Sequence, residues 1–545
     1  MKLNYLFFIS AFIITLNASA QNVTTSQVKI QNGVLEGVNE NSVITTFKGI
    51  PFAKAPVGKL RWSAPEPAEN WTGVRKADKF GNNAMQKKPF GDMGFRSSGM
   101  SEDCLYLNVW TPSKNFKDKL PVLVYFYGGG YVAGDGSEPR YDGEAMAKKG
   151  IVVLTVNYRL GIFGFMAHPE LTKESANKSS GNYGLLDQQM ALVWVQENIK
   201  NFGGDPKKVT IAGESAGSIS VSAQMASPLS KKLFAGAIGE SGAMINPTLA
   251  PITLASAEKN GQAFAEKAGA KSLDELRSLP ADKLLDESSK PGAFRTAANI
   301  DGYFLPKNLV EIFTAKEQAQ VPLLAGWNSA EVPFQALLGG ETPNVENYTK
   351  KIKQLYPQDA DLVLKLYPAN NEEEVVAAAT ALASDRFISY STWKWLDLQV
   401  NNSNKPVYRY LFSKSKPPMT PKFAQATPGL AGGISMNSSN TKPDPKKLVS
   451  EGAPHAFEIE YAMGNLKTNP VYAWSPEDYK ISDTMLQYFA NFIKTGNPNG
   501  NGLPKWSPIS KTAAPYVNIG LKTAEFTETE QERARYLLLD KGYLK

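Results

Sequence analysis

The apolar run Val209-Thr210-Ile211-Ala212 leads straight into Gly213-Glu214-Ser215-Ala216-Gly217, and small residues able to start a helix follow. That context reads as strand, sharp turn and helix, a bend so tight that only glycine-like flanks allow it, and the alternation of strand-like runs with helical stretches such as Asp187 to Phe202 reads as α/β. A serine lifted on such a bend presents its hydroxyl outward, which makes Ser215 the candidate nucleophile. The pattern alone is weak evidence in a chain with 44 glycines, so its context carries the reading. A decoy, Gly239-Glu240-Ser241-Gly242-Ala243, also follows an apolar run but lacks the final glycine. It is expected to close the next strand, with Ser241 in a supporting role.

A serine hydroxyl is a poor nucleophile at neutral pH and needs a histidine, itself held by a carboxylate. The chain has two histidines. In hydrolases built on this serine turn the order is Ser, acid, His, which His455 satisfies and His168, upstream of the turn, does not. His168 is therefore expected to be structural. The acid must fall between Ser215 and His455, at the exposed end of a strand. Val321-Pro322-Leu323-Leu324-Ala325-Gly326 reads as a buried strand, and the loop after it carries Glu331; Asp301 and its neighbours remain alternatives on position alone.

A tetrahedral intermediate needs donors aimed at its oxyanion. The apolar run Pro121–Tyr127 enters Gly128-Gly129-Gly130, where successive amides are unshielded. Ala216, directly after the nucleophile, supplies a further amide.

These residues resemble the type B carboxylesterase and cholinesterase family along most of the chain. The likeness extends to Phe47-Lys48-Gly49-Ile50-Pro51-Phe52-Ala53, Pro56–Trp62, Glu102-Asp103-Cys104-Leu105-Tyr106-Leu107-Asn108-Val109 and Gly181–Gln188. It implies an α/β-hydrolase fold, with a large central mixed sheet flanked by helices and long insertions. It further implies a serine esterase acting on carboxylic esters, with no metal or organic cofactor and a small-molecule ester as partner. Ser215, Glu331 and His455 fall on the family's triad positions, and Gly129, Gly130 and Ala216 on its oxyanion donors. Glu214 falls beside the nucleophile as a supporting carboxylate, and Arg61 with Glu102 and Arg159 with Asp187 as structural ion pairs. Two departures stand out. Ala84 occupies the position of the family's cysteine partner to Cys104, which is the only cysteine in the chain, so no intramolecular disulfide can form and the loop between them is expected to be more mobile. That loop also lacks the tryptophan on which cholinesterases seat a quaternary ammonium; Phe90 and Phe95 are present, but choline-ester specialisation is not expected.

Lys2, the apolar run Leu6–Ile14 and Ala18-Ser19-Ala20 form a signal-peptide pattern, too short to span a bilayer comfortably. Residues 1–20 are thus expected to be removed and the protein to be periplasmic or secreted, without stable membrane insertion. A chain of 545 residues suggests several domains by length, yet strand-like runs such as Ile151–Val156 and Val407–Phe412 argue for one extended sheet. Residues 21–545 are read as a single domain with insertions after Ser241 and before His455. The polar, broken segment Ser415–Lys447 is expected to cross the surface near the site mouth, a disordered linker being the alternative. A net charge of +7 spread over this length identifies no substrate, and neither an internal repeat nor a nucleic-acid motif is present. A catalytically silent binding domain, or a hydrolase specialised for acylated polysaccharide, feruloyl or polyester-toxin substrates, would share much of this pattern. The sequence leaves oligomeric state open.

Overall fold

Thirteen strands build one mixed sheet in a computed structural model of the protein, which describes residues 24–39, 43–115, 117–436 and 448–543. The leader lies outside the described residues. In chain order the strands are β1 (Thr24–Ile30), β2 (Gly33–Asn39), β3 (Thr45–Pro51), β4 (Val74–Lys76), β5 (Tyr106–Thr111), β6 (Leu120–Phe126) and β7 (Val152–Val156). They continue as β8 (Gly204–Glu214), β9 (Gly236–Glu240), β10 (Leu323–Asn328), β11 (Val407–Phe412), β12 (Pro515–Ile519) and β13 (Ala524–Thr527). Across the sheet they run β1-β2-β3-β5-β7-β6-β8-β9-β10-β11-β12-β13, with β4 beside β2. Pairing from β7 through β12 is parallel, and β1–β2–β3–β5–β7 and β12–β13 pair antiparallel. All residues of β7, β9 and β10 are buried, so apart from Glu240 and Asn328 at their carboxyl ends these strands are apolar or small-residue runs without alternation, as a parallel sheet covered on both faces requires.

Six helices matter here: α1 (Tyr183–Asn198), α2 (Ala216–Ala226), α3 (Glu372–Ser384), α4 (Tyr390–Asn402), α5 (Pro476–Thr495) and α6 (Glu530–Tyr543). Helix α2 packs on β8 and β9, α4 on β10 and β11, and α5 on β6 and β8. Local chemistry fixes α5: Ser475 and Asp478 form a reciprocal capping box, Pro476 occupies the first turn, and Gly496 ends the helix at φ 73°.

Three long excursions leave the carboxyl ends of parallel strands. Two match the expected insertions, residues 242–322 after Ser241 and the stretch after β11 that leads to His455. The third, residues 329–406, was not expected. It is helical and carries its own apolar core around Tyr348, Ile352, Val375 and Leu382, joined by Leu538 of α6.

Both expected ion pairs form in bidentate geometry. Arg61 donates to Glu102 at 2.6 and 2.5 Å, and Arg159 to Asp187 at 2.8 and 2.7 Å. Cys104 is buried and free. The loop that a disulfide would have closed is fastened by hydrogen bonds: Asn83–Ala84 pairs with Met100–Ser101, and Gln86 exchanges two hydrogen bonds with the Gly134 backbone at 2.9 Å each.

Candidate active site

Strand β8 ends at Glu214 and α2 begins at Ala216, which leaves Ser215 alone at the bend with φ 54° and ψ −121°. That backbone is strained for an L-residue and persists because its surroundings hold it. The flanking glycines make room for it. A Cβ on Gly213 would lie 2.5 Å from the Phe126 carbonyl oxygen at the end of β6, and one on Gly217 would press on the same atom. The Ser215 amide donates to Glu240 O at 2.8 Å, which ties the bend to β9.

Behind the bend stand His455 and Glu331, both buried. His455 Nε2 lies 2.9 Å from Ser215 Oγ, and His455 Nδ1 lies 2.6 Å from Glu331 Oε2. Glu331 is held at its other oxygen by the Ser241 hydroxyl at 2.6 Å and the Asn328 amide at 2.7 Å. The loops of the two residues are themselves tied, since the His455 amide donates to Glu331 O at 3.1 Å. The structure thus brings together Ser215, Glu331 and His455 with the supporting Ser241, three of them at or just beyond the carboxyl ends of β8, β9 and β10. Asp301 is occupied elsewhere, accepting from the Tyr303 and Leu305 amides at 3.0 and 2.9 Å. His168 caps the short helix Pro169–Glu174 by accepting from the Glu170 amide at 3.3 Å.

Glu214 approaches the same ring nitrogen as the serine, its Oε1 3.3 Å from His455 Nε2. Burial pushes the Glu214 carboxyl up to about 8. Burial would lower the His455 imidazole, but the charges of Glu214 and Glu331 and the Glu331 hydrogen bond outweigh it and lift the ring to about 9. Two further carboxyls escaped the sequence reading. Glu458 accepts from Ser241 at 3.3 Å and from the Asn328 side chain, and burial with the nearby Glu331 raises it to about 7. Glu240 accepts from the Tyr125 hydroxyl at 3.2 Å and is also raised by burial. A signal for Glu240 existed: Gly239-Glu240 repeats Gly213-Glu214, and the two glutamates lie opposite one another in the β8–β9 register.

The serine opens into a cavity of about 410 Å³. Its walls are largely apolar, from Phe90, Met93, Ile219, Leu249, Phe387 and Ile388, with Gly128–Gly130 on one side and Arg386 on another. The Phe387 ring meets His455 edge-on at 5.2 Å. Gly129 and Gly130 line the cavity with the serine, Ala216 follows it as the first residue of α2, and the first amides of α2 have no partner within their helix. Leu430 and Ala431, from the hairpin Ala426–Pro428 and Ile434–Met436, also line the cavity, so the described part of the Ser415–Lys447 segment does reach the mouth. Among the described residues no group of three or more histidine, cysteine or acidic side chains is arranged to hold a metal ion.

Comparison with known proteins gives a consistent picture. A model of the carboxylesterase family matches residues 24–536. The chain is 38% identical to the fumonisin B1 esterase of Sphingopyxis macrogoltabida, over 87% of this chain and 83% of that protein. It is 33% identical to the liver carboxylesterase of Sus scrofa, over 93% and 90% of the two chains. A solved PNB esterase superposes with a TM-score of 0.74 at 30% identity, covering 94% of this chain and all of the other.

Proposed function

This chain belongs to the carboxylesterase family, and from that premise we propose that it is an exported serine esterase working through Ser215, His455 and Glu331. Hydrolysis of carboxylic esters follows from the family; the residue roles and the export are the proposal. One observation carries it. A single line of hydrogen bonds runs from Glu331 through His455 to Ser215 and ends at a cavity.

His455 takes the Ser215 proton as the hydroxyl oxygen attacks the ester carbonyl, while Glu331 holds the ring in the tautomer that leaves Nε2 free to accept. The carbonyl oxygen becomes an oxyanion against the amides of Gly129, Gly130 and Ala216. Collapse breaks the bond to the alkoxy oxygen, which leaves with the proton from His455, and an acyl-serine remains. Water then attacks the acyl carbon with His455 again accepting a proton, and the acid departs as Ser215 recovers its hydrogen.

Ser215→Ala and His455→Ala should each cost at least ~10⁴-fold in turnover of a short-chain aryl ester with the fold intact by circular dichroism, whereas His168→Ala keeps most activity. A serine-reactive phosphonate should label the native protein and not Ser215→Ala. A folded Ser215→Ala that still turns over would contradict the assignment. The likeness to a fumonisin B1 esterase favours a second, narrower reading in which that toxin's ester bonds are the substrate. Competition between the toxin and a simple aryl ester separates the two.

A further inference from the structure

One charged side chain on the cavity wall takes no part in the hydrogen bonds of Ser215, His455 and Glu331. Arg386 sits on the π-helical turn Asp385–Ser389, one residue before Phe387, whose ring abuts His455. The guanidinium lies over the Tyr356 ring at 5.4 Å, and its Nη1 donates to the Tyr356 hydroxyl at 2.9 Å. Among the described residues no carboxylate stands within ion-pair distance of it. Arg61, Arg140, Arg159 and Arg409 are each paired with an acid. The adjacent Asp385 is engaged by the Tyr367 hydroxyl at 2.8 Å.

An arginine that lines a largely apolar cavity, steadied at one nitrogen by a neutral partner and without a carboxylate in ion-pair distance among the described residues, suits a planar anion. Apolar walls cannot tell a carboxylate from an alkyl chain except by excluding it, so a single fixed cation there sets orientation and preference. We propose that Arg386 is a specificity-determining residue that binds a free carboxylate on the substrate, so that the favoured substrates are esters carrying a second, unesterified carboxyl group. This rests on the ester-hydrolase reading above. The anion sits at the guanidinium while the scissile carbonyl sits at Ser215, and the chemistry at the serine is unchanged.

Two matched pairs of probes test it. The first is 4-nitrophenyl hydrogen adipate against 4-nitrophenyl methyl adipate, with the charge on the acyl side; the second is 4-acetoxybenzoate against its methyl ester, with the charge on the alcohol side. The wild-type protein should favour the acid in at least one pair. In Arg386→Gln the kcat/KM ratio of acid to neutral ester should fall about 10- to 100-fold, and Arg386→Lys should recover part of it. Each ratio is internal to one protein sample, so partial misfolding cancels. If neither pair is discriminated by the wild-type protein, or if Arg386→Gln lowers both members alike, the carboxylate role is overturned while hydrolysis stands. Turnover of neither ester of either pair would remove the hydrolase reading and this proposal together.

Discussion

Glu214 and Ser215 converge on one ring nitrogen, Glu214 Oε1 at 3.3 Å and Ser215 Oγ at 2.9 Å from His455 Nε2. Attack by the serine needs a neutral ring, and burial of the imidazole, which would favour that form, is outweighed first by the charge of Glu214 and then by Glu331. The raised ring keeps its proton to higher pH, so kcat/KM should climb as pH rises towards about 9. Glu214→Gln removes the largest charge holding that proton, and the acid limb of the profile should move to lower pH. A profile measured between about pH 5 and 10 that leaves the limb in place would show that Glu214 does not act on His455. At this scale the sequence was legible where chain order ruled. Two histidines and one permitted order singled out His455; position made Glu331 the best-placed acid but left Asp301 and its neighbours open, and the likeness to a family tipped the choice. What separates the two is tertiary: Asp301 spends its Oδ1 on two amides of its own turn, whereas Glu331 meets a ring that is 124 residues away in the chain. Glu458, Phe387 and Arg386 escaped notice because no local pattern marks a side chain that matters only for what a distant loop brings beside it.

The bend between β8 and α2 is the element on which the site turns, and its tolerance is narrow. Gly217→Ala would drive a methyl group against the Phe126 carbonyl, part of β6 and unable to yield, so α2 must tilt. We expect a roughly 100-fold loss in kcat/KM from the displaced hydroxyl and a lowered melting temperature. Unchanged activity with an alanine there would mean that the turn has slack the structure does not show. Elements buried on both faces were the readable ones: apolar runs named β6, β7, β10 and β11 to within two residues at either end. The helical excursion 329–406 was missed for the opposite reason. Its helices ahead of α4 bury one face against one another, and that private core is visible only once the chain is folded.

For the molecule as a whole, the proposed export signal precedes the fold. Residues 1–20 carry a charged start, an apolar stretch and a small-residue ending, and among the described residues no helix is long and apolar enough to cross a membrane. Protein collected from outside the cytoplasm should begin at Gln21 on N-terminal sequencing. A first residue of Met1 would refute cleavage. The exported chain would carry a lone thiol, Cys104, which is sealed in the interior and pushed well up by burial. With no second thiol in the chain, no intramolecular disulfide can form on either side of a membrane. Its maturation therefore asks nothing of disulfide-forming oxidases or disulfide isomerases, and the same native state is open to it in a reducing or an oxidising compartment.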